Sequence, residues 1–579
     1  MPYNPQATIA DVRRDDAATA IVERHLPGVL NHPALGLSPF TVLADLAGFA
    51  KASGDPALEV PEMWRELAAL TSGPPAAAPA PGPVDAAYEG SDVARASARL
   101  TVIPGAEQWG VAELELEGPS HGNPFVDVEL DATFTQGGRE VRVGGFYDGE
   151  GTYRVRFLPP TAGTWTFETR SNARSLDRLA GSVDVAAPSQ GNRGKVVVRD
   201  TYHFAYEDGT PYLPLGTTAY AWTHQTSELE ELTLRTLDES SFTKLRMCVF
   251  PKSFVYNANE PARYPFERTS DGSWDHTRFN PAFFRHLEER ILQLQEIGVE
   301  ADVILFHPYD RWGFSQMPAW ADRLYTRYVV RRLAAFRNIW WALANEWDFT
   351  KSKTVEDWEG IAAVIAREDH AGHLTSIHNG FVFYDHTRPW VTHLSVQKND
   401  TNRTAENVDA WRRYGKPVVV DEIGYEGDLE WGWGNLSPQE LVRRCWEGAI
   451  RGAYVNHGET YHRDDQVIPW SQGGALHGTS PERIAFLSQI IAEAPSGRFE
   501  PLANDFDALW GGEDDYRVVY FGLSRPRVRT LTLPSGSWDV DVIDTWAMTT
   551  ETALTAATGT VTVTLPVREY VAIRLRRRV

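Results

Sequence analysis

The chain has 579 residues, 42% hydrophobic and 23% charged, with a formal net charge of −22. That length argues for two to four domains, and the acidic balance argues against nucleic acid and other polyanions as partners. Its 20 tryptophans are the one departure from an ordinary soluble composition; they suit core packing and, beside a site, an aromatic face for the C–H side of a sugar.

The first 21 residues lack a basic segment followed by an apolar one, and no apolar run reaches the length of a membrane span. A cytoplasmic location without a membrane partner is therefore expected. Residues 6–70 carry helical periodicity, with Ile9, Val12, Ala17, Ile21 and Leu26, then Val42, Leu43, Leu46 and Phe49, then Met63, Leu67 and Leu70. Pro27 and Pro33 interrupt it, so about three short helices are expected, a candidate surface for homo-oligomer formation. A Pro/Ala-rich stretch, 71–84, reads as an extended linker and closes this first segment at 84.

Residues 85–195 alternate polar and apolar in short runs such as 112–116, 126–130, 153–157 and 164–168, separated by Gly and Pro turns. That pattern predicts a β-sandwich. The Asp148-Gly149-Glu150-Gly151 loop reads as a turn, because no acidic ligand series follows it for calcium.

From 196 to 495 apolar strands alternate with helical patterns, as βα units do. Strands are expected at 212–220, 242–250, 300–307, 339–347, 374–379, 390–396, 418–423 and 453–459, the number a (β/α)8 TIM barrel needs. A polar loop at 252–280, rich in aromatic residues, is long enough to shape a cleft. Residues 496–579 return to alternation and predict a small C-terminal β-sandwich. Cys248 and Cys445 read as reduced core residues.

Two of the barrel strands end in carboxylates. Ile339-Trp340-Trp341-Ala342-Leu343-Ala344 runs without alternation, as a strand buried on both faces does, and ends in Asn345-Glu346. Val418-Val419-Val420-Asp421 runs into Glu422. Side chains at the C-terminal ends of barrel strands face the active site, and two glutamates there supply a proton donor and a nucleophile or base for glycosidic cleavage.

Asn-Glu after a fourth strand and Glu after a seventh resemble the large clan of retaining glycoside hydrolases built on (β/α)8 barrels. The Gly145–Tyr153 block, Gly163-Thr164-Trp165 and Gly122-Asn123-Pro124-Phe125 resemble the immunoglobulin-like domain that precedes certain of these barrels, including the apiosidase-like group. The resemblance spans about residues 100–579. It implies that Glu346 is the acid/base, Glu422 the nucleophile, and that Asn345 bonds the sugar 2-hydroxyl. It departs from the common pattern at Trp347, where proline often follows the glutamate, and at His393-Leu394-Ser395, where His-x-Tyr is frequent.

An arginine inside an apolar strand is costly unless paired, which makes Arg246 the expected partner of Glu422. Polar groups at the other strand ends, His307, His378, Gln397, His457 and Glu459, are expected to line the rim and meet sugar hydroxyls, together with Trp347. Trp470 is the expected platform for the innermost sugar, with His477 beside it. The spacing of His457, Glu459 and His462 fits neither His-Glu-x-x-His nor a zinc triad, so no metal and no cofactor are expected. The leading expectation is a retaining glycosidase that acts on oligosaccharides or glycosides, exo-acting. The alternatives are a transglycosylase of the same fold and a noncatalytic carbohydrate-binding protein.

Overall fold

The computed structural model describes residues 3, 7–31, 42–43, 60–70, 80–398 and 404–578. Eight parallel strands among them follow one another in chain order. They are β1 (Gly216–Thr218), β2 (Lys244–Cys248), β3 (Glu300–Phe306), β4 (Ile339–Ala344), β5 (Leu374–Ser376), β6 (Leu394–Gln397), β7 (Val418–Glu422) and β8 (Tyr454–Val455). β1 to β5 form one sheet and β6 to β8 another. A parallel bridge between His378 and Ser395 links the two, and the His457 N–H donates to Gly216 O at 2.8 Å, tying the end of β8 to β1.

Helices follow most strands, for instance Pro281–Glu296 after β2 and Val355–Glu368 after β4. Between β5 and β6 the described chain has no helix. The two-residue periodicity of the strands separates two cores. Leu245, Met247, Val303, Leu305, Trp341, Leu343, Val418 and Val420 pack outward against the helices. Cys248, Ile304 and Ala342 pack inward with Tyr220 and Trp470.

Lower in the interior the inward positions are ionic. Lys244 Nζ lies 2.5 Å from Asp302 Oδ2 and 2.9 Å from Asp421 Oδ1, with Arg246 Nε 3.8 Å from each aspartate. Charges buried this deeply persist only when each meets a partner, and this layer forms the base on which the strand ends stand.

The 212–220 strand expected from the sequence is two elements. Pro211–Tyr212 pairs antiparallel with His203–Tyr206, which pairs with Val196–Arg199, and only Gly216–Thr218 enters the parallel sheet. Pro214 lies between them and has no N–H to continue a ladder. The small antiparallel sheet covers the N-terminal end of the ring, where Phe204 packs 5.0 Å from Trp340 beside Val419 and Tyr454.

Residues 99–185 form two four-stranded antiparallel sheets around Leu114, Phe134, Val155, Phe157 and Trp165. The Asp148 turn is structural in an unexpected way. Its buried carboxylate meets Arg332 at 2.7 Å on the Ala319–Leu333 helix and Arg154 at 3.0 Å on its own sheet, so it fastens the two parts together. Its pKa is lowered: burial opposes ionisation, and the arginines outweigh it.

After the ring, residues 500–577 build a six-stranded sheet and a strand pair over Val519, Trp538, Val540 and Ile573. At the other end, helices Ile9–Arg13, Asp16–His25 and Pro61–Ala69 share a core of Ile9, Val12, Val22, Met63 and Leu67. The expected helix through Leu46 and Phe49 and most of the Pro/Ala linker lie outside the described residues.

Candidate active site

Ala342 and Ala344 are followed, without a break, by Asn345 and Glu346. Glu346 has φ +51° and ψ 59°, a left-handed conformation that costs a non-glycine residue about 1–2 kcal/mol. The neighbouring bonds hold it: Asn345 N donates to Phe306 O at 2.9 Å, and Trp347 N to His378 O at 2.9 Å. Strain retained at a strand end points to a functional position. The Glu346 carboxyl is 5% exposed, accepts from the Tyr309 hydroxyl, and accepts from Asn345 Nδ2 at 3.1 Å.

Glu422 closes β7 on the opposite wall. It accepts from the Tyr220 hydroxyl and from Arg246 Nη1 at 3.2 Å. Arg246 Nη2 also donates to Asn345 Oδ1 at 3.1 Å, so one guanidinium ties the two strand ends together. Gln397, at the end of β6, completes the link. With its amide oriented to satisfy its neighbours, the nitrogen donates to Glu346 Oε1 at 3.3 Å and to Glu422 Oε2 at 2.9 Å. Those two oxygens are therefore no farther apart than the sum of the distances, about 6.2 Å.

The environment pushes the two carboxyls apart in acidity. Burial and the Glu422 charge raise Glu346 to about 8, against the pull of Tyr309, Lys252 and Gln397. Burial would also raise Glu422, but His378, Arg246 and Tyr220 outweigh it and bring it to about 2. Near neutral pH one carboxyl is thus protonated and the other ionised, the arrangement of an acid and a nucleophile or base.

A pH dependence follows. With Glu346 as the acid, kcat/KM should hold across the acidic and neutral range and fall as pH rises through about 8. Lys252, lowered to about 8 by burial, titrates in the same window, so the limb reports the coupled groups together. A rate that climbs through pH 8 would contradict the assignment of Glu346 as the acid.

The pocket between the glutamates has a volume of about 80 Å³. Of the expected residues, Asn345, Gln397 and Trp470 line it with the two glutamates, and Arg246 braces its floor. His378 sits behind the wall with Nε2 3.4 Å from Glu422 Oε1.

The others do not line this pocket. His307 turns inward, its Nε2 on Phe250 O at 3.1 Å. His457 stacks on Phe242 and bonds Thr217 Oγ1 at 2.9 Å beneath the site. Glu459 accepts the backbone N–H groups of His477 and Gly478 at 2.6 and 2.8 Å, so this pair fastens a loop. Trp347 points its Nε1 to Val382 O at 2.9 Å and packs on Tyr384. A strand end fixes height in the ring but not the direction of the side chain, and direction decides these cases. Among the described residues no group of His, Cys, Asp or Glu has the arrangement of a metal site.

Sequence reasoning missed Tyr220, Lys252, Phe254, Tyr309, Tyr425 and Trp433, all of which line the pocket. Tyr220, Lys252, Tyr309 and Tyr425 each follow a parallel strand by two to four residues. The strand ends give their neighbourhood, but the path of the loop beyond each strand decides which side chain reaches the pocket. Tyr425 is held from behind by Gly458, where an added Cβ would lie 2.0 Å from the tyrosine ring. Gly458→Ala should displace Tyr425 from the wall and lower kcat/KM by about 10-fold or more, while the protein still melts cooperatively.

Three family models match the chain. Residues 199–483 match "Apiosidase-like, catalytic domain", and domains of unknown function DUF5060 and DUF5605 match residues 105–172 and 506–576. A crystal structure of a candidate glycoside hydrolase from Bacteroides vulgatus shares 39% identity. The alignment covers 82% of this chain and 99% of that one, with a TM-score of 0.77. The chain belongs to the same glycoside hydrolase family as that protein, with an apiosidase-like domain at 199–483.

A family 5 glycoside hydrolase from the same organism shares the fold at 16% identity. That match covers 66% of this apiosidase-like chain and 94% of its own, with a TM-score of 0.53. No curated protein matches the apiosidase-like chain.

Proposed function

We propose that this protein is a retaining glycoside hydrolase, with Glu346 as acid/base and Glu422 as nucleophile on a (β/α)8 barrel. The observation that carries the reading is the shared Gln397 nitrogen. It bounds the nearest carboxylate oxygens at about 6.2 Å, below the ~6.5–9.5 Å that an inverting enzyme leaves for water between its two carboxyls.

In the first step Glu422 attacks the anomeric carbon while Glu346 gives its proton to the leaving oxygen. The glycosyl unit is then esterified to Glu422 and the aglycone departs. In the second step Glu346, now ionised, takes a proton from water as that water displaces Glu422. Tyr220 and Arg246 hold Glu422 ionised and aimed; Tyr309 and Asn345 hold Glu346.

The reading includes an immunoglobulin-like sandwich at 85–195, the barrel at 196–495, a C-terminal sandwich at 496–579 and a helical segment with linker at 1–84. The small pocket, walled by Trp433 and Trp470, suits exo action on a terminal sugar. A panel of nitrophenyl furanosides and pyranosides tests the function. Release of nitrophenol from at least one supports it; binding of sugars without release from any would favour the noncatalytic reading. Products formed with an added acceptor sugar separate hydrolysis from transfer.

A further inference from the structure

Lys252 lies four residues beyond the end of β2 and is 2% exposed, yet it lines the pocket. Its Nζ sits 3.8 Å from the centroid of the Tyr220 ring and 4.5 Å from those of Tyr309 and Trp470. Aromatic faces attract a cation but offer no lone pair to its N–H groups. Among the described residues no carboxylate lies within ion-pairing distance of Nζ and no acceptor takes its protons.

The other buried cations beneath the pocket are committed: Lys244 to Asp302 and Asp421, and Arg246 to Glu422 and Asn345. One further pocket-lining group, Trp470 Nε1, is buried without a partner among the described residues. An ammonium with three unused donors is an expensive thing to bury for packing alone. Its position beside the two tyrosines that bond the glutamates places it next to whatever ring sits between them.

We propose that Lys252 is a substrate-binding residue, its ammonium donating to an oxygen of the sugar held between Glu346 and Glu422. The inference rests on the glycosidase reading of this pocket. The ligand chemistry is an acceptor oxygen on the glycone, and it has two sources: a hydroxyl of a neutral sugar or the carboxylate of a uronic acid.

The test uses the full chain with Lys252→Met, which keeps the side chain's length and removes its charge. Neutral aldoses and hexuronates are titrated by ligand-observed NMR, and active nitrophenyl glycosides are assayed alongside. A sugar that binds the unaltered protein should lose about 10- to 100-fold in affinity, while Lys252→Arg, which restores a donor, keeps part of it. The melting temperature of Lys252→Met should stay level or rise, because the substitution removes an unpaired buried charge. Loss confined to hexuronates assigns a carboxylate; loss on neutral sugars assigns a hydroxyl.

Binding and kcat/KM within twofold of the unaltered protein would overturn the proposal. So would a lowered melting temperature with binding intact, or no binding of any sugar in the panel to the unaltered protein. Sugar binding through Lys252 in a protein that hydrolyses no glycoside would keep this inference and refute the hydrolase reading instead.

Discussion

Glu422→Ala should abolish turnover on every glycoside, by a factor on the order of 10⁵, whatever the leaving group. The substitution removes the atom that forms the glycosyl ester, and no other carboxylate stands at its position. Glu346 is held by Tyr309 and Asn345 at the end of a different strand, while Asp302 and Asp421 are engaged by Lys244 lower in the ring. The variant should also be less well ordered at its floor, because Arg246 and the Tyr220 hydroxyl lose a buried acceptor. Activity within tenfold of the unaltered protein, on sugars or activated phenols alike, would remove Glu422 from the mechanism.

Glu346→Ala should behave differently, and the difference identifies the acid. A sugar alcohol must be protonated to leave, so cleavage of natural linkages should fall by about 10²–10⁴. A dinitrophenolate leaves unprotonated, so formation of the glycosyl-enzyme from an activated phenol should be nearly unchanged, with its breakdown becoming slow. Azide needs no base to attack that intermediate. It should restore the rate and give a glycosyl azide of retained configuration. Azide rescue of Glu422→Ala with retention, in place of Glu346→Ala, would reverse the two assignments.

The centre of the molecule was legible because burial writes itself into sequence. A strand sealed on both faces must be continuously apolar, so Ile339–Ala344 stands out, and a carboxylate at its end has nowhere to go but the mouth of the ring. The same reasoning located Val418–Glu422, and Arg246 drew attention as a charge inside an apolar run.

Edges were less legible. The first strand was drawn too long across Pro214, and β8 spans two residues, too few for a pattern. Lys252, Tyr309 and Tyr425 escaped notice because they belong to loops. What places them is the path of the chain after the strand, which no periodicity records. His307, His457 and Glu459 show the converse error. They are polar and close to strand ends, but they satisfy backbone groups and neighbouring side chains within the fold. Asp148 is a further instance, a turn residue whose partner, Arg332, lies 184 positions away.

The account turns on a double displacement across two closely spaced glutamates. Proton NMR of the first-formed sugar, recorded before mutarotation during hydrolysis of any active glycoside, tests that most directly. The account predicts that the anomeric proton of the nascent product shows the configuration of the substrate. A nascent product of the opposite anomer would contradict it and assign single displacement by water instead.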